Sequence, residues 1–171
     1  VGSAAQRVSH TDLGDGLTKL GNALQLDGSS YMQAGSPRLG EKSLTGAWAG
    51  EFWMQFSGST GTAANQYIAN FGNNSPGFIY GFGVDTLEVY EPGGRSGTNG
   101  PTVADNQWHH VIFVNYNDAP VGSTNTVDAY IDGVHYAKIG GGFNLPVSLS
   151  SFLFGAATTG PANVFTGDLD E

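Results

Sequence analysis

The 171-residue sequence predicts an all-β domain made of two packed antiparallel sheets, a β-sandwich. Three observations carry that reading. Apolar runs of strand length recur through most of the chain, each bounded by clusters of Gly, Pro, Asn, Asp or Ser. No stretch shows a convincing amphipathic helical period. Glycine occurs 27 times and only 12% of residues are charged, which suits short strands and many turns.

Taken in order, residues 1–20 are polar and glycine-rich and are expected to form an N-terminal segment or linker ahead of one domain over 21–171. Asp12-Leu-Gly-Asp-Gly16 spaces two carboxylates with glycines but lacks the further acids of a calcium loop, so it reads as a turn. Asn22–Asp27 is the first expected strand, with Leu24 and Leu26 inward, followed by a turn at Asp27-Gly28-Ser29 and a short run from Tyr31 to Ala34. Ser36–Gly40 reads as a surface loop. From Ala47 to Ser57 the alternation is clear: Trp48, Gly50, Phe52, Met54 and Phe56 share one face, and Glu51, Trp53, Gln55 and Ser57 the other. Phe52, Met54 and Phe56 are expected in the core. Gln66–Gly72, Gly77–Gly83 and Thr86–Tyr90 read as short strands, and Glu91–Gly100 as a loop.

The strongest strand signal is Gln107–Tyr116. Trp108, His110, Ile112, Val114 and Tyr116 alternate with His109, Val111, Phe113 and Asn115. Large apolar residues on both faces predict a central strand covered on both sides, with His110 as a core histidine. Val127–Ile139 reads as a hairpin turning at Asp132-Gly133, a pair that tolerates positive φ. Ser148–Ala156 and Val164–Leu169 supply the last strands.

Four pieces also stand in a familiar order: Gly21–Ser29, Gly50–Met54, the pair Trp108–Val111 with Val127–Gly133, and Phe165–Glu171. Together they resemble a laminin-G-like jelly-roll domain of the concanavalin A-like lectin and glucanase superfamily. The resemblance runs from roughly residue 20 to the end. It implies a binding module of a larger secreted or cell-surface protein, recognising carbohydrate or an extracellular protein. It also implies a calcium ion at a rim of the sandwich. The first and last strands of such a domain lie close together, so Asp27 and Asp170 are the expected metal ligands, with backbone carbonyls and water completing the shell. Asp27 has a second reading, as a cap of its own turn. In similar domains the Asp168–Glu171 run continues into a final apolar strand, and without it an open sheet edge is expected.

Charge and motifs limit the other classes. The net charge is −9, from 6 basic and 15 acidic residues, which disfavours nucleic acid and anionic membrane surfaces. There is no cysteine, and hence no disulfide. No apolar run approaches the length of a membrane-spanning helix, and no secretory leader pattern stands at Val1. Glucanases of this superfamily carry two working carboxylates and a third acid alternating on one strand. Asp168-Leu-Asp-Glu171 does not supply them, because Glu171 falls on the opposite face from Asp168 and Asp170. His109 and His110 point to opposite faces and cannot share a zinc ion. Gly-x-Ser-x-Gly is absent, and Gly140-Gly-Gly142 lacks the residues of a phosphate loop. No catalytic residue is therefore assigned. Sugar platforms, if present, are expected among Trp53, Tyr90 and Tyr116, with Tyr80 a further candidate and loop residues Asn73, Asn74, Asn99 and Asn117 reading hydroxyls. The competing expectations are a structural or adhesion spacer without a small ligand, and a polysaccharide-active hydrolase or lyase.

Overall fold

The computed structural model describes residues 6–9, 22–34, 43–44, 46–56, 66–70, 77–80, 86–91, 94–95, 102–116, 118, 126–137, 147–148, 152–157 and 163–170. Among them every regular element is a strand. In chain order these are β1 (Gln6–Ser9), β2 (Asn22–Asp27), β3 (Met32–Ala34), β4 (Ser43–Leu44), β5 (Trp48–Phe56), β6 (Gln66–Asn70), β7 (Gly77–Tyr80) and β8 (Leu87–Glu91). There follow β9 (Gly94–Arg95), β10 (Trp108–Asn115), β11 (Val127–Ile131), β12 (Val134–Tyr136), β13 (Val147–Ser148), β14 (Phe152–Phe154) and β15 (Thr166–Asp170).

A seven-stranded sheet runs β1-β2-β15-β5-β10-β11-β12, and a six-stranded sheet runs β3-β14-β6-β7-β8-β9. A small β4–β13 pair stands apart, so the run expected from Ser148 to Ala156 is divided between two sheets. Every strand pairing is antiparallel. The Gln6–Ser9 part of the N-terminal segment is the edge strand beside β2. The Asp168–Asp170 run does not border an open edge: β15 is hydrogen-bonded to β2 on one side and β5 on the other.

The core lies between the two large sheets. Leu26, Met54, Phe56, Val111, Phe113, Val127, Ala129, Ile131 and Leu169 point inward from the seven-stranded sheet to meet Ile68, Ala69 and Leu87. These positions are one side of the period-two alternation. Phe52 packs against the cluster with its ring centre 5.8 Å from that of Phe113, and Phe56 lies 5.6 Å from Phe165. Each large side chain fully buried here contributes about 1.5–3 kcal/mol. Asn115 is the exception on this face, being fully buried with neither amide atom partnered, and nothing in the structure explains that choice of residue.

The two outer faces differ. All five residues of β6 are buried. Gly155 donates its N–H to the Ile68 carbonyl, Tyr67 donates to the Asn163 carbonyl, and the buried Asn70 amide donates to the Ala157 carbonyl at 2.7 Å. The described residues 155–157 and 163–164 thus continue along the β14 edge of β6, and β6 is buried on both faces. Strand β10 is not. His109 lies inward with Val111, Phe113 and Asn115, while Trp108, His110, Ile112 and Val114 are only partly buried. The expectation of a strand covered on both sides, with His110 in the core, is corrected: His109 is the inward histidine, and the outer face of β10 is half open.

The β11–β12 hairpin turns where the sequence places it. Asp132 has φ 51° and Gly133 φ 79°, the two positive angles of a type I′ turn. That turn fixes the pairing of Ile131 with Val134 and of Tyr130 with His135.

Candidate functional site

Among the described residues, an open surface lies on the outer face of the seven-stranded sheet over β5, β10, β11 and β12. Register sets its rows. Trp53 of β5 stands beside His110 of β10, and Tyr130 of β11 beside His135 of β12. Directly opposed residues have Cβ atoms about 5 Å apart, close enough for their rings to meet. The Trp53 and His110 rings stack at 4.9 Å and 28°, and the Tyr130 and His135 rings at 4.8 Å and 27°. Each imidazole also faces a carboxylate. His110 Nε2 lies 3.4 Å from Glu51 Oε2, and His135 Nε2 donates to Asp128 Oδ2 at 2.7 Å.

Asp128 is the buried acid of the face, 7% exposed. Tyr116 stands next to it at the end of β10, 37% exposed. Partial desolvation, and then the Asp128 carboxylate and the Tyr130 hydroxyl, push the Tyr116 hydroxyl above its ordinary pKa. Asp168, opposite Gln55, and Asp170, opposite Trp53, continue the same face onto β15. It therefore offers flat rings, hydrogen-bond donors and carboxylate acceptors together.

On the inner side of β10, His109 closes a different cluster. Its Nδ1 meets Asp132 Oδ2 at 2.7 Å and its Nε2 meets Asp105 Oδ1 at 2.9 Å. Ionised carboxylates only accept, so this arrangement favours the doubly protonated ring, which can donate to both. Asp132 Oδ1 accepts the His110 N–H and Asp105 Oδ1 the Gln107 N–H. The cluster clasps the 105–107 turn to the β11–β12 hairpin. Burial of the ring pulls the His109 pKa down, but the bonds to Asp132 and Asp105 outweigh it and the net shift is upward. Burial likewise opposes the Asp105 shift, which the bonds from His109 and Gln107 carry downward. The raised His109 stabilises the fold fully below the ordinary imidazole value of 6.5, and that contribution is lost as pH rises through its higher folded value. Asp105 stabilises above 3.8 and is lost as pH falls through its lowered value. His109→Ala is expected to cost about 2 kcal/mol. The loss should be largest between the two ordinary values and shrink in alkali, as read from denaturant midpoints across the pH range.

With this geometry in hand, the comparisons with known proteins decide the family. A laminin-G model, described as the concanavalin A-like lectin/glucanases superfamily, matches residues 26–171. The chain belongs to this superfamily. No curated protein is similar enough in sequence to count as a relative. Two solved structures share the superfamily architecture. One is domain 4 of AbnA, a GH43 extracellular arabinanase from Geobacillus stearothermophilus, in complex with arabinotriose. It is 20% identical, with a TM-score of 0.54 over 95% of this chain and 77% of that one. The other is the binding domain of Paraclostridial Mosquitocidal Protein 1. It is 14% identical, with a TM-score of 0.62 over 99% of this chain and 42% of that one. At these identities both show the fold alone.

Of the residues expected to act in this superfamily member, Trp53 and Tyr116 stand on this outer face. Tyr90 belongs to β8 of the other sheet, paired with Gly77 and Arg95, and its side chain lies outside the described residues. The same holds for the side chain of Tyr80, and the loop residues Asn73, Asn74, Asn99 and Asn117, together with the Asp12–Gly16 turn, are also outside them.

The calcium pair does not meet. Asp27 stands opposite Thr166 at the start of β15, whereas Asp170 lies four residues further along that strand. At about 3.4 Å per residue the two are about 14 Å apart, too far to share one ion. Asp27 Oδ1 instead accepts from the Ser29 N–H at 2.9 Å, the Ser29 hydroxyl at 2.9 Å and the Ser30 hydroxyl at 2.7 Å, the turn-capping role. Among the described residues no group of three or more His, Asp or Glu side chains is placed to hold a metal ion.

His110, His135, Asp128 and Tyr130 were not singled out from sequence as site residues. The signal for two of them was present: a two-residue turn at Asp132-Gly133 dictates that Tyr130 and His135 face each other.

Proposed function

We propose that this domain is a non-catalytic carbohydrate-binding module of a larger extracellular protein, and that it binds through the outer face of the seven-stranded sheet. The observation that carries this reading is the pair of ring–imidazole stacks, Trp53–His110 and Tyr130–His135, half exposed beside the Glu51 and Asp128 carboxylates. Rings that keep a partly open face supply flat apolar area at low entropic cost. Neighbouring acceptors and donors then orient hydroxyl groups. The family of the chain contains lectins, and the similar arabinanase domain is described with a bound arabino-oligosaccharide, so arabinan is the first ligand to try.

Affinity electrophoresis on arabinan, galactan and β-glucan gels, paired with a reducing-sugar assay on the same polymers, tests the reading. Retardation on at least one polymer without release of reducing ends is the expected result. Turnover would make the domain an enzyme, and no retardation on any polymer would favour a spacer domain. Running the gels in calcium and in EDTA separates this face from a calcium-dependent site.

A further inference from the structure

The outer face carries the same unit twice. Each unit is a ring stacked on an imidazole whose Nε2 faces a carboxylate: Trp53, His110 and Glu51 in one, Tyr130, His135 and Asp128 in the other. The first spans β5 and β10 and the second spans β11 and β12, four strands adjacent in the sheet. Trp53 pairs with His110, and Tyr130 pairs with Ile112, two residues further along β10. Two strand spacings across and two residues along put the ring-bearing positions about 12 Å apart. That span exceeds one sugar ring. The strip between them is Ile112, apolar and partly open.

Charge restricts what can lie there. Glu51, Asp128, Asp168 and Asp170 stand on this face, and the described residues of the face include no Lys or Arg. Uronates and sulfates are recognised by guanidinium or ammonium groups, and the four carboxylates of this face repel an acidic chain. Neutral hydroxyls fit better, because a sugar hydroxyl can donate to the carboxylates and accept from the tyrosine O–H groups of the face.

Resting on the carbohydrate reading above, we infer that the two units engage two separate residues of one uncharged glycan chain. The chain lies diagonally across β5, β10, β11 and β12, and the domain recognises internal chain segments, not single terminal sugars. Linking two weak contacts on one ligand raises the apparent affinity without any new contact.

Titration calorimetry with the intact chain tests this, using arabinose and its oligomers from two to six residues, the matching gluco- and galacto-series, and oligogalacturonate as the acidic probe. Affinity should rise about tenfold or more between the monosaccharide and the longer oligomers of one uncharged series, then level off, with no binding of oligogalacturonate. Trp53→Ala and Tyr130→Ala should each flatten that rise. Should Tyr130→Ala fail to fold, His135→Ala on the exposed edge strand serves for the same unit. Equal affinity for monomer and hexamer, a rise that survives both variants, or tight binding of oligogalacturonate would overturn the inference while leaving carbohydrate binding intact. Binding of no sugar in any series would overturn both.

Discussion

Gly167→Ala is expected to destabilise the domain by about 4 kcal/mol, a large share of a total that usually lies at about 5–15 kcal/mol. Gly167 sits in β15 between Leu26 of β2 and Phe56 of β5. Its φ of 154° is one that side-chain-bearing residues rarely adopt. A Cβ there would stand 2.0 Å from the backbone carbonyl oxygen of Gln55 and 2.9 Å from the Phe165 ring. Neither neighbour can retreat. The carbonyl is in the β5 ladder, and the ring is fully buried against Phe56. Backbone strain of about 1–3 kcal/mol adds to overpacking of about 1–3 kcal/mol. Gly50→Ala is the internal control. The nearest atom to its new Cβ is Trp48 at 4.0 Å, so its denaturant midpoint should barely move. Equal losses at the two glycines would show that β15 is not clamped between β2 and β5.

The second large effect is on binding. Trp53→Ala should weaken binding of the best uncharged glycan about 30-fold, a loss of about 2 kcal/mol, as expected when a central aromatic anchor is removed. Its unfolding midpoint should fall much less than that of His109→Ala. Trp53 is only partly buried, on the solvent side of β5, while the core-facing side of that strand keeps Met54 and Phe56. The comparison separates a binding ring from a packing ring. If Trp53→Ala loses stability as heavily as it loses affinity, the stack with His110 is holding the sheet together and the binding role falls.

Much of the fold was legible because it is local. The alternation from Trp48 to Phe56 predicts which side chains fill the core, and Asp132-Gly133 predicts the hairpin and its register. The site was only half legible. Trp53 could be placed on an outward position from alternation alone, whereas Tyr116 shares its face with His110, which reads as a core residue. The histidine assignment inverted because His109 and His110 are adjacent in sequence and both faces of β10 read as apolar. His109 is held by two carboxylates, Asp105 four residues before it and Asp132 from the hairpin turn 23 residues on, and only the first of these is local in sequence. The Asp27–Asp170 pairing failed for a related reason. The closeness of β2 and β15 follows from the topology, but which ends meet depends on register, and register between strands distant in the chain leaves no local mark.

The most direct test follows the three tryptophan indole N–H signals by heteronuclear NMR while an uncharged oligosaccharide that binds is titrated in. Trp53 and Trp108 belong to the outer face of the seven-stranded sheet, and Trp48 packs against the core. Saturable shifts of the Trp53 signal, with Trp108 following and Trp48 still, would place the ligand on that face. Binding that moves Trp48 alone, or that leaves Trp53 in place, would contradict it and put the sugar elsewhere on the sandwich.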